Sequence, residues 1–343
     1  MTAPRGTAPE GKELSVTDAL SSIRSKRPAS LYVFAPGDDY FVPQVREAAR
    51  SLVGETFRPF DYAEFEGREE NVDAIREFLG SESFGSERKV LVITSLEDKT
   101  AKRLAGLTSL FFSAGTTSVV FGDPAKIPPE LLAKACVTTN YAVPPAAVRA
   151  WIKKRLDGRA MDDQATYELM QRTAGSFFLM RNEIDRLLAY TAEPITLADV
   201  REVVPRCHVA AAAALVEAVS LRKYDRVVTA LSDLSASGAP DTTILYDVEL
   251  GFIRLLNAKL VSKSNRPRAD LRAWCLRSQH QYLDDYTLTA LLKAADHIRL
   301  SELELVLEHL EDIEYRAKKG LASNALAALE LLLSETVLTT QES

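Results

Sequence analysis

No stretch of this 343-residue chain approaches the roughly 18 consecutive apolar residues of a membrane-spanning helix, so no membrane span is expected. The N-terminal MTAPRGTAPEGKE holds no apolar segment of the kind that opens a secretory signal, and secretion is not expected either. Cysteine is scarce. Cys136, Cys207 and Cys275 are odd in number and far apart, which excludes a disulfide framework and fits a reducing cytoplasm. Metal-ligand spacing is lacking too: Cys207 and His208 are adjacent rather than spaced, and no second cluster completes a tetrahedral set. His280, His297 and His309 lie among acids and leucines and read as ordinary surface or boundary histidines. No G-x-S-x-G elbow marks a nucleophile. Strong charge of one sign is also missing. A net charge of −6 gives no general affinity for polyanions, so any nucleic-acid contact must come from a local patch. Two clusters qualify, Lys153-Lys154-Arg155 and Arg266-Pro267-Arg268, and for each a solvated helix face or loop is an equally good reading.

What is present is ample core, with 46% hydrophobic and 26% charged residues, in a chain long enough for two or three domains. Residues 1–13 read as a mobile tail, and Ser15–Arg27 as a short helix closed by Pro28. Apolar strands are expected at Leu31–Ala35, Phe57–Tyr62, Lys89–Thr94, Ser118–Phe121 and Ala135–Thr139. Helices are expected between them at Phe41–Leu52, Val72–Leu79 and Lys99–Ser113. Strands alternating with helices, each strand apolar on both faces, predict an α/β domain with a parallel sheet covered on both sides. From Pro144 the strand patterns stop. Helices are expected at 145–156, 162–173, 177–190 and 197–204, a small helical domain that ends at a hinge near Pro205 and Cys207-His208. A further all-helical region follows, closed by Lys318-Lys319-Gly320, cations and then glycine at a helix C-terminus. The expected division is 1–27, 28–142, 143–206 and 207–343.

A sheet domain followed by a helical one suggests a nucleotide-binding ATPase, which makes the phosphate loop decisive. G-x-x-x-x-G-K-[ST] lets backbone amides cradle phosphate while a lysine reaches the outer phosphates. After its first strand this chain offers APGDDYF, with Asp38 and Asp39 where a phosphate site needs positive charge. Gly122-Asp123-Pro124 supplies no acidic pair for magnesium, and Glu97-Asp98 reads as the start of a helix. ATP hydrolysis and a bound cofactor are not expected.

The stretch Asn71–Thr94 stands out. It opens as an amphipathic helix carrying Val72, Ile75, Phe78 and Leu79 and closes as the buried run Val90–Ile93. Between them lies GSESFGSER, polar and small except for Phe84. A lone phenylalanine in such a loop either folds back onto the core or is presented to a partner.

Several stretches, in order, resemble the delta subunit of the bacterial DNA polymerase III clamp loader. LYVFAPGDDYF is similar to that family's first strand, glycine–acid turn and helix. Trp151, Gly175, Asn182, Glu183, Leu187, Tyr190, Ile195, Thr196 and Val200 follow its middle-domain pattern. Ser237-Gly238-Ala239-Pro240, Asp312, Lys318, Gly320 and Ala328-Leu329-Glu330 follow that of its last domain. Phe177 stands where the family often has an aspartate. The resemblance implies an AAA+-like domain without a working ATP site, a helical lid and a helical collar. It implies a non-catalytic part of the polymerase holoenzyme, a cytoplasmic heteropentamer with gamma/tau ATPase and delta-prime subunits acting on primer–template DNA. It also implies that an apolar loop binds and opens the ring-shaped sliding clamp (beta). The matching positions here are Glu82, Ser83, Phe84 and Gly85, with serine where the family has a second large apolar residue. The alternatives are an ATP-binding AAA+ subunit of a replication or repair complex, or a helical adaptor of unrelated function.

Overall fold

The computed structural model describes residues 11–141, 143–264, 267–279, 285–321 and 324–338. The chain divides into two compact units, Met1–Val143 and Pro144–Ser343.

In the first unit, six strands form one sheet: β1 (Glu13–Ser15), β2 (Leu31–Phe34), β3 (Tyr62–Glu66), β4 (Lys89–Thr94), β5 (Thr116–Phe121) and β6 (Cys136–Asn140). Their order is β1-β6-β2-β5-β4-β3, and every pairing is parallel. The register sets Leu31 opposite Ser118, Val90 opposite Tyr62 and Val92 opposite Val119. Successive residues of a strand point to opposite faces, and in β2 all four are buried, so both faces of the sheet are covered. On one face Leu31, Val33, Leu91, Ile93 and Val120 form a core with Ile75 and Leu79 of the helix Val72–Gly80 and with Leu104 and Phe111.

Three local expectations differ from the structure. Residues 1–10 of the expected tail lie outside the described residues, but Glu13–Ser15 is an edge strand in the sheet unit. It pairs with β6, and Lys12 accepts the Val137 amide at 2.9 Å. Ser15 then caps the helix Val16–Ile23 by accepting the Asp18 amide at 3.2 Å, so this segment is integral to the domain. Second, the expected helix Lys99–Ser113 is broken into Asp98–Leu104, a 3-10 turn at Ala105–Leu107 and Thr108–Phe111. Gly106 lies in that turn, where its low helix propensity weakens a continuous helix, yet Leu104, Leu107 and Phe111 remain buried. Third, Phe57–Tyr62 is not a strand. Glu55–Phe57 and Arg58–Asp61 are consecutive helical turns, and the strand starts at Tyr62. Pro59 cannot donate a ladder hydrogen bond but suits the first turn of a helix.

The second unit consists of helices, with one isolated bridge from Met161 to Ile195 among the described residues. Its helix starts are chemically explicit. Asp162 accepts the Ala165 amide, and Thr196 and Asp199 form a reciprocal capping box. Beside Phe177, Ser176 takes the cap and accepts the Leu179 amide at 3.3 Å. Cys207 and His208, expected as a hinge, begin the helix His208–Ser220, with His208 Nδ1 2.6 Å from Asp247. Leu215, Val219, Phe252, Leu255, Leu303, Leu310 and Leu333 belong to one core spanning the later helices. Gly320, at φ 68°, ends the helix Leu300–Lys318, and the Leu321 amide closes back onto the Arg316 carbonyl at 2.9 Å.

Candidate protein-interaction site

The loop between the helix Val72–Gly80 and β4 is held from below by two buried charges. Asp61, the last residue of the turn before β3, is fully buried. Its carboxylate accepts the backbone amides of Phe84 at 2.6 Å, Gly85 at 3.1 Å and Ser86 at 2.9 Å. Burial pushes the carboxyl pKa up, but the three amides favour the ionised form more strongly, and the net displacement is downward. Lys89, the first residue of β4, donates to the carbonyls of Phe78 at 2.5 Å, Leu79 at 3.2 Å and Ser81, capping the end of the helix. Burial lowers the Lys89 pKa, and the Asp61 carboxylate opposes that effect. One charge binds amides of the loop and the other binds carbonyls at the end of the preceding helix and the start of the loop.

Above this base, Ser83 donates its hydroxyl to the Ser86 carbonyl at 2.6 Å and closes the turn. Gly85 lies against the Phe57 ring, where a Cβ would come within 2.3 Å of Phe57 Cε1, so only glycine fits without a shift. Phe84 is 70% exposed and Phe60 is 55% exposed, and their rings stack at 4.5 Å between centroids and 29° between planes. Glu82 is exposed beside them. Sequence reasoning named Glu82, Ser83, Phe84 and Gly85 as candidates and did not name Phe57, Phe60 or Asp61, which pack against or bond to that loop. The available signal was Pro59, which argues against the strand that those residues seemed to form.

The turn after β2 contrasts with this loop. The Tyr141 ring lies over Gly37, where a Cβ would fall 2.3 Å from its ring carbons, and the Tyr141 hydroxyl donates to the Ala35 carbonyl at 2.6 Å. Phe41 packs nearby at 6.0 Å, and the Tyr40 amide donates to Asp38 at 3.0 Å. Burial, with Asp39 and Asp38 nearby, pushes the Tyr141 phenol pKa upward. The Tyr141 ring thus occupies the space beside Gly37 where a side chain would stand.

Of the basic residues, Lys153 and Lys154 are exposed in the last turn of the helix Pro145–Arg155, while Arg155 is held by Asp185 through two 2.9 Å contacts. Arg268 is exposed at the start of the helix Arg268–Gln279, and Arg266 lies outside the described residues. Among the described residues no group of three or more His, Cys, Asp or Glu side chains is placed to hold a metal, and no single helix is long and apolar enough to cross a membrane.

A six-stranded parallel sheet unit is followed in the chain by an all-helical unit. The chain is similar in structure to the DNA clamp loader delta protein of Bacillus subtilis, over 94% of this chain and 99% of that one, with a TM-score of 0.55 and 17% identity. At that identity the likeness establishes a shared fold. Two Thermotoga maritima proteins are more weakly similar. A RuvB variant matches at 17% identity over 55% of this chain and 65% of its own, with a TM-score of 0.37. A DNA polymerase III gamma-subunit-related protein matches at 11% identity over 94% and 99%, with a TM-score of 0.35. No family model and no curated protein matches the sequence.

Proposed function

We propose that this chain is the non-catalytic, clamp-opening subunit of a DNA clamp loader. Its sheet unit binds the ring-shaped sliding clamp through Phe84 and stabilises the opened ring for loading onto primed DNA. The C-terminal helices join the gamma/tau ATPase and delta-prime subunits in a collar, the helices of 143–206 form the lid, and Lys153, Lys154 and Arg268 contribute phosphate contacts to primer–template DNA. ATP binding elsewhere in the assembly controls access to the loop, a population shift rather than chemistry in this chain.

The observation that carries this reading is the exposed Phe84 on a loop whose amides are fixed by Asp61, in a fold shared with a clamp loader delta protein. The aromatic cover on Gly37 supports an AAA+-like domain that does not use this turn for nucleotide. Burying one phenylalanine contributes about 1.5–3 kcal/mol. Phe84→Ala is therefore expected to weaken binding to the cognate clamp at least tenfold in calorimetry. Unchanged affinity would remove Phe84 from the interface. Saturable ATP binding by the isolated chain would favour an ATP-binding subunit instead.

A further inference from the structure

We infer that the clamp-binding wedge is built from two separate segments, with Phe60 supplying the second apolar side chain beside Phe84 and Asp61 acting as the positioning residue that holds the pair together. The inference rests on the proposed clamp-binding role and adds a residue to that same site.

The resemblance places the second apolar residue next to Phe84 in sequence, and that position is Ser83. Its hydroxyl is committed to the Ser86 carbonyl, so it serves the turn rather than a partner. Phe60 stands next to Phe84 in space instead. Both rings are more than half exposed, and they stack on one another, presenting one continuous aromatic surface. The link between them is short and specific: Phe60 is followed directly by Asp61, whose carboxylate accepts the Phe84 amide. That bond holds the backbone of Phe84 next to the turn Arg58–Asp61, and the ring contact itself brings the two side chains together. The backbone of the two segments is therefore preorganised, which lowers the cost of presenting both rings together.

The occupant that fits is an apolar pocket wide enough for two stacked rings, with a basic rim. Glu82 and Glu87 are exposed in the same loop as Phe84, and Glu55, exposed and paired with Arg58 at 3.5 Å, precedes the turn that carries Phe60. These carboxylates would face a cationic edge on the clamp.

The test uses the full chain and the cognate clamp, with calorimetric affinities for wild type, F60A, F84A and the double variant. Phe60 is half exposed, so F60A is expected to fold, and its melting curve reports this independently. F60A is expected to weaken binding by roughly 10- to 100-fold, the range for losing one buried phenylalanine. The double variant is expected to lose less than the product of the two single losses, because the rings act as one unit. D61N should weaken binding while F60 and F84 remain in place, through loss of the amide latch. Wild-type affinity in F60A with a loss in F84A overturns the two-segment wedge and leaves the clamp-binding role standing. Tighter binding by F60A would show that Phe60 shields Phe84, which also overturns the inference. Failure of wild type to bind the clamp, or self-association of the chain abolished by F60A, overturns both the inference and the role.

Discussion

Two loops of the sheet unit place an aromatic ring over a glycine, with opposite outcomes. At Gly37 the ring is Tyr141. Its hydroxyl donates to the Ala35 carbonyl, and the ring fills the space beside the glycine. At Gly85 the ring is Phe57, which supports the loop from one side while Asp61 fixes it from below, and Phe84 is left outside. The same kind of contact packs a hydrogen-bonded tyrosine at one loop and leaves a phenylalanine exposed at the other. The difference lies in the nearby charges. Asp38 accepts the Tyr40 amide at the first turn, whereas the Asp61 carboxylate is shared by three loop amides at the second.

Asp61→Ala gives the largest expected effect on this comparison. It removes an ionised acceptor shared by three amides, and a loss of about 3 kcal/mol is expected from hydrogen bonds to charge, read as a lower urea midpoint. The same latch has a pH signature. A carboxyl whose folded pKa is depressed contributes stability above its unfolded pKa and loses it as pH falls through the folded value. Amide exchange at residues 84–86 should therefore rise relative to the sheet as pH drops below about 4, after correction for intrinsic rates. Asp61→Asn should abolish that acid dependence. Gly85→Ala should cost about 1–3 kcal/mol, because the added methyl meets the Phe57 ring. It should also lower clamp affinity, whereas Gly37→Ala should cost stability alone. Equal effects on affinity at the two glycines would erase the distinction drawn between the loops. The smallest expected effect is Tyr141→Phe, which loses one hydrogen bond worth about 1 kcal/mol and should leave clamp binding unchanged.

The sheet architecture was legible because buried parallel strands are apolar runs bounded by polar residues. Lys89–Thr94 occupies the expected residues, and Phe177–Tyr190 does the same among the helices. Phe57–Tyr62 failed because two phenylalanines and a tyrosine resemble a strand by composition, while Pro59 sets the backbone for a helical turn. That error also hid part of the candidate site. Phe84 was conspicuous as the lone apolar residue of its loop, but its partners come from a turn more than twenty residues earlier, with the Asp61 bond closing a separation of 23. Periodicity reports on faces of one element and carries no signal for such a tertiary contact.

The two buried charges under the loop also have a mechanical consequence. The loop is tied to the sheet at both of its ends: the Asp61 carboxylate links the Phe84 amide to the start of β3, and the Lys89 ammonium links the start of the loop to the start of β4. Those strands are paired neighbours in register from Tyr62–Val90 onward. Both anchors of the loop thus lie on adjacent strands of one ladder, so a displacement of either strand would be felt at the loop.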